Sequence, residues 1–147
     1  MTPARQRLCL AYGALSVVSL IACWKQNFAY FGGEAGMVES NVRFWSDALV
    51  NPAARSVTVD LFLFATAVAI WMLLEARRLA IRGVWIYVFA GILVGISVTA
   101  PLFLIARERR LHARGEAGHL GVTAVDLVVL ALFIAAPAAI TAWTLAQ

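Results

Sequence analysis

Two aspartates in apolar surroundings, Asp60 and Asp126, are the residues of this 147-residue chain best suited to chemistry. A carboxylate inside a bilayer is costly, so an acid there is a functional candidate by default. Burial in an apolar cavity also keeps a carboxyl protonated, which suits it to act as a general acid. Paired acids of that kind serve small helical membrane enzymes that isomerise or cyclise terpenoid or sterol-like substrates. By analogy of architecture, Asp60 and Asp126 are the catalytic candidates here. Ser97, Thr99, Trp24, Lys25 and Tyr30 are expected in the same half of the membrane, as ligand-binding residues.

A plainer reading stands beside each candidate. Asp126 follows Thr123 at the spacing of a capping box, and an acid in the first turn favours the positive end of the helix dipole. Asp60 has Arg55 and Lys25 as possible ion-pair partners at the interface. Glu75 lies 15 residues beyond Asp60, about 22 Å along a helix, so the two cannot form one catalytic pair. Beside Arg77 and Arg78 it reads as an interface ion pair or a brace for a short turn.

Other chemistries are set aside. His112 and His119 both fall in a polar connection, so no bis-histidine haem site exists within a span. No HExxH, GxSxG or P-loop pattern occurs. His112 and His119 with Glu108 and Glu116 have only loose metal-ligand spacing, and no metal or other cofactor is expected. Cys9 and Cys23 lie 14 positions apart on one apolar run, about 21 Å on a helix, which excludes a disulfide between them.

The elements that must position these residues are hydrophobic. The chain is 63% hydrophobic and 14% charged, with a mean hydropathy of +0.85. Soluble domains carry about 25% charged residues, and a chain this short could not hide so much apolar surface from water. The net charge of +4 does not indicate nucleic acid, because the arginines cluster at the ends of apolar runs, where membrane flanks carry them. Four runs are expected as spans, over 8–24, 56–76, 83–106 and 120–146. Each has roughly the length needed to cross about 30 Å of hydrocarbon. The expected fold is therefore all-α, a single domain over 1–147: an integral membrane bundle of four transmembrane helices.

The connections refine this picture. Between the first two spans, Val38, Val42, Trp45 and Leu49 share one face at helical spacing, which predicts a short interfacial helix. Asn51-Pro52 marks a helix start, with Asn as N-cap and Pro at the first position. The brief connection 75–82 makes the second and third helices antiparallel neighbours. In the third span Gly91 and Gly95 form a GxxxG spacing for close helix packing, and Pro101 predicts a kink. Leu20-Ile-Ala-Cys23 resembles a lipoprotein cleavage box, but Trp24 and Lys25 suit an interface anchor and a spanning helix explains the whole stretch.

Four spans put both termini on one side. That side then holds Arg5, Arg7, Arg77, Arg78 and Arg82, and the other side holds seven basic residues diluted by acids that include Glu34. The leaning of the first helix gives cytoplasmic termini in the plasma membrane, the inner membrane of a bacterium.

Several of these motifs together resemble a family of small, mostly bacterial membrane proteins known only as a domain of unknown function. The resemblance rests on Asn51-Pro52, Asp60, Glu75-Ala-Arg-Arg78, Trp85, Val94-Gly-Ile-Ser97, Pro101-Leu-Phe-Leu104 and Arg107-Glu108. It covers about residues 44–110 and implies a membrane protein without implying an activity. The fourth span and the long first connection are less typical of its shorter members.

Three functional classes follow. The favoured one is a non-enzymatic accessory subunit or lipid- or ligand-binding bundle, with membrane lipids and a larger complex or a second copy as partners. The others are the intramembrane enzyme above and a small oligomeric proton- or cation-coupled transporter built around Asp60.

Overall fold

The computed structural model describes residues 1–31, 36–116 and 121–146. All regular structure among them is helical: α1 (Pro3–Phe31), α2 (Met37–Ala48), α3 (Pro52–Leu79), α4 (Val84–Val94), α5 (Ile96–Ala113) and α6 (Ala124–Ala146). Three of these, α1, α3 and α6, are long and apolar enough to cross a bilayer, and α4 is a shorter apolar helix. Glu34, His119 and the expected start of the fourth span at Leu120 lie outside the described residues.

Local sequence explains most helix ends. Asn51 caps α3 by accepting a hydrogen bond from the Ala54 N–H at 2.9 Å, and Pro52 takes the first helical position, where no N–H is needed. The helix stops where Ala80 turns left-handed at φ 51°, and the Ile81 N–H closes back on the Ala76 carbonyl at 2.9 Å. α1 extends beyond its expected apolar run at both ends.

The third expected span is corrected most. Residues 83–106 do not form one helix. Gly95, at φ 125° and ψ 134°, ends α4, and α5 starts at once in the opposite direction. The reversal is fixed by two contacts. Tyr87 and Phe103 stack edge-on with centroids 5.6 Å apart, whereas 16 residues of continuous helix would separate them by about 24 Å. A methyl added at Gly91 would sit 2.9 Å from the Thr99 hydroxyl oxygen. A bundle of four full spans is thus replaced by three span-length helices and a hairpin of two shorter ones. Pro101, where a kink is expected, lies inside α5, which continues through it to Ala113. Proline removes one helical hydrogen bond, but the φ of Gly95 reverses the chain. His112 and Arg107 to Arg110 accordingly belong to α5 and not to a polar connection.

The hairpin fills the space between α1 and α3 in one half of the molecule. α5 packs chiefly on α1 and α4, and also on α3. The buried apolar cluster is small: Met72 and Ala76 from α3, Val84 from α4 and Phe103 from α5. In the other half α2 packs on both α1 and α3. α6 has no buried residue, and its last turn meets α1 where Lys25 and Gln26 donate to the Leu145 and Thr144 carbonyls. The start of α1 and the end of α6 therefore lie at opposite ends of the bundle, whereas four full spans would return to the same end.

Candidate functional site

Two ends of the bundle gather the polar groups, and they are built differently. At the first, three helices bring buried acids onto arginines. Glu108 on α5 is 3% exposed and Arg5 on α1 is 6% exposed, and the Arg5 guanidinium donates to Glu108. Arg107 donates from Nη1 to Glu108 at 2.9 Å and from Nε to Glu75 on α3 at 2.7 Å. Arg78 donates twice to Glu75, from Nε and Nη2, at 2.8 Å each. One chain of ion pairs thus runs from α1 through α5 to α3. Nearby, Met1 meets His112 Nε2 at 2.8 Å, and Arg114 donates to the Arg78 carbonyl at 3.0 Å. Both buried carboxylates are fully engaged, which is the condition under which charge survives in low dielectric.

The periodicity of α5 explains why this end forms. Phe103, Arg107 and Leu111 recur at four-residue spacing and carry one face from the apolar cluster into the charged zone, while Glu108 turns toward α1. Along the α1–α5 seam, Ser16 donates to the Val98 carbonyl at 3.0 Å. Trp24 Nε1 donates at 3.2 Å to the Val94 carbonyl, which the Gly95 reversal leaves without a helical partner.

The opposite end is aromatic and open. Tyr30 donates to Asp47 at 2.9 Å, and its ring meets Phe44 edge-on at 5.5 Å. Phe44 meets Trp45, and Trp45 stacks on Phe62 of α3 at 5.5 Å. The Thr58 hydroxyl donates to the Ala48 carbonyl at 2.9 Å, which fixes α2 beside the start of α3. Val38, Val42, Trp45 and Leu49 form an exposed apolar face of α2.

The sequence candidates are dispersed over this frame. Asp60 lies on an exposed face of α3, level with α2, between Thr58 and Phe62. Asp126 is exposed in the first turn of α6. The Thr123 N–H and hydroxyl donate to it at 2.8 and 2.7 Å, and its own N–H donates back to the Thr123 oxygen at 3.2 Å, a complete capping box. No hydrogen bond or ion pair joins Asp60 to Asp126 among the described residues. Trp24 and Tyr30 serve the hairpin tip and α2 respectively, and Lys25 serves the end of α6. Ser97 is exposed on α5, while Thr99 is buried against Gly91 with its hydroxyl unpartnered. Gly91 and Gly95 act within the chain, one as the close contact of the hairpin and the other as its turn. Cys9 and Cys23 are free thiols. Among the described residues, no group of three or more His, Cys, Asp or Glu side chains could hold a metal ion.

The Arg5–Glu108 pair is what sequence reasoning missed. Its partners are 103 positions apart, so no local spacing connects them. The available signal was a single acid set among arginines just past the end of an apolar run. Glu75, expected as a brace for the short turn, does pair with Arg78, and it also reaches Arg107.

No curated protein and no solved structure matches this chain. A family description does, over residues 11–109, more than half of the chain. That stretch starts inside α1, so the first helix belongs with the region the motifs had marked. The match includes α1 to α5 nearly whole and stops short of α6. The chain is a member of the family described as Protein of unknown function DUF2834.

Proposed function

We propose that this chain is a non-enzymatic membrane subunit, a small bundle that presents helix faces to lipid and to a membrane partner. The observation that carries this reading is the use made of the buried acids. Glu75 and Glu108 are consumed in tying α1, α3 and α5 together, and neither is directed into a cavity. Asp60 and Asp126 sit apart on exposed faces, and Asp126 already caps its helix. A paired-acid enzyme on a hydrophobic substrate would need two carboxyls facing one enclosed apolar space. α6, span-length and without a buried residue, supplies a helix face for lipid or a partner.

The membrane arrangement belongs to the same proposal. α1, α3 and α6 span, and the α4–α5 hairpin enters and leaves at the end where α1 begins. At about 1.5 Å per residue the eleven residues of α4 reach about 16 Å, half of a hydrocarbon core of about 30 Å. α2 lies in the opposite interface with Val38, Val42, Trp45 and Leu49 toward the acyl chains. The hairpin changes the charge count of the two sides. Arg5 and Arg7 of α1, Arg77 and Arg78 of α3, Arg82, and Arg107, Arg109, Arg110 and Arg114 now share one end. Lys25, Arg43 and Arg55 remain at the other. Nine basic residues against three favour a cytoplasmic start of α1 and an outer end of α6, in the plasma membrane.

Native mass spectrometry of the gently solubilised chain, wild type and Asp60→Asn, tests the functional class. Retained lipids or a stoichiometric protein partner, unchanged by the substitution, are expected. A discrete terpenoid, quinone or sterol-like molecule that disappears with Asp60→Asn would transfer the assignment to an enzyme or transporter centred on that residue.

A further inference from the structure

We infer that the arginine-rich end is a binding surface for anionic phospholipid headgroups. This rests on the membrane arrangement proposed above. Glu75, Glu108 and Glu116 are each engaged with arginines of the same end, and Asp126, at the start of α6, is held by Thr123, so four acids stand against nine arginines. Five further arginines, Arg7, Arg77, Arg82, Arg109 and Arg110, are exposed there, and none of their side chains has a carboxylate partner among the described residues. Even the buried network carries more positive than negative charge, with Arg5, Arg78 and Arg107 on two acids. The end therefore holds a surplus of cationic donors that the chain does not neutralise.

The placement of the surplus selects lipid as the counter-charge. The five arginines are spread over α1, the end of α3, the α3–α4 turn and α5, so they form a collar around the helices and not a concave site. They sit where apolar helix gives way to polar chain: the apolar run of α3 ends at Leu74, with Arg77 one turn further on. Trp71 and Trp85, 40% and 49% exposed, flank that level, as aromatic residues do at headgroup depth. Guanidinium groups bind phosphate oxygens in bidentate fashion, and basic residues beside a span are drawn to anionic leaflets. At the opposite end Arg43 is paired with Glu39, and Arg55 donates to the Leu49 carbonyl at 3.2 Å. That end has no comparable surplus.

The test reconstitutes the full chain in vesicles of phosphatidylcholine and phosphatidylglycerol in equal amounts, then reads the retained lipids by native mass spectrometry. Phosphatidylglycerol is expected to be enriched, and the enrichment to fall by about fivefold for each arginine lost in Arg77→Gln, Arg82→Gln and Arg110→Gln. Arg43→Gln and Arg55→Gln should leave it unchanged. The substituted residues are exposed and unpaired, so thermal unfolding should match that of the wild type. Equal retention of both lipids, or equal losses from the two ends, overturns the proposal and leaves the arginines to an acidic segment of another protein. Displacement of the bound lipid by millimolar inorganic phosphate overturns it too, in favour of a soluble anion. Alkaline carbonate extraction separates the headgroup site from the membrane arrangement. A chain that stays in the vesicles without lipid preference refutes only the headgroup site, whereas a chain that is extracted refutes the membrane arrangement.

Discussion

The two ends of this bundle solve the same problem in opposite ways. Each must hold helices together where apolar helix meets polar surroundings. The arginine-rich end does so with charges withdrawn from solvent: Glu108 and Arg5 are 3% and 6% exposed, and every buried oxygen of the two acids is engaged. The aromatic end uses rings and single hydrogen bonds at exposed positions, from Tyr30 to Asp47 and from Trp45 to Phe62. Stability is accordingly concentrated at the arginine-rich end. A buried ion pair adds little beyond an apolar substitute of equal volume, yet losing one partner is severe, because the other is left charged and dry. An exposed aromatic contact is worth less and can fail without that penalty.

The sharpest way to break this contrast is Glu108→Gln. It leaves Arg5 buried beside a neutral amide, and a loss of about 3–5 kcal/mol is expected. Thermal unfolding in detergent measures it, and a melting temperature equal to the wild type would refute the clamp. The double substitution Arg5→Met with Glu108→Leu should recover much of the loss, since no charge is then stranded.

Gly95→Ala comes next. Any side chain at φ 125° is strained, at about 1–3 kcal/mol. The hairpin should loosen while the far end keeps its contacts. Val98→Cys, at a buried position, in a chain carrying Cys9→Ser and Cys23→Ser, reports this through a thiol reagent, and unchanged labelling would mean that the reversal does not depend on glycine.

Gly91→Ala should act in the same direction through its 2.9 Å encounter with Thr99, and Thr99→Ala in the same chain should relieve it. A double-mutant cycle on unfolding tests the coupling, and strictly additive effects would argue against the contact.

The smallest effect is expected at the aromatic end. Tyr30→Phe removes one exposed hydrogen bond to Asp47, worth about 1 kcal/mol or less. Proteolysis between α1 and α2 should rise slightly with no change in global unfolding. A loss as large as that of Glu108→Gln would erase the distinction between the ends.

Legibility in the sequence followed the range of the interaction. The cap at Asn51-Pro52, the amphipathic face of α2 and the capping box at Thr123 and Asp126 are local, and each follows from residues within a turn or two. The placement of Glu75 beside Arg78 was legible for the same reason. The Gly91–Gly95 spacing was visible, but a glycine pair in an apolar run is compatible with a straight packed helix and with a reversal alike.

The class of molecule is already set by composition and pattern. Its hydropathy, the lengths of its apolar runs and the arginines at their ends make it a helical membrane protein, because backbone in lipid must satisfy its own hydrogen bonds. The tertiary structure alone decided that residues 83–106 fold back on themselves. The choice depends on Gly95 adopting a φ that no local pattern demands and on contacts such as Tyr87 with Phe103 that outweigh helix continuity. That one reversal brought Glu108 to Arg5, gathered the arginines of α5 at the start of α1, and so set which end of the molecule carries the charge.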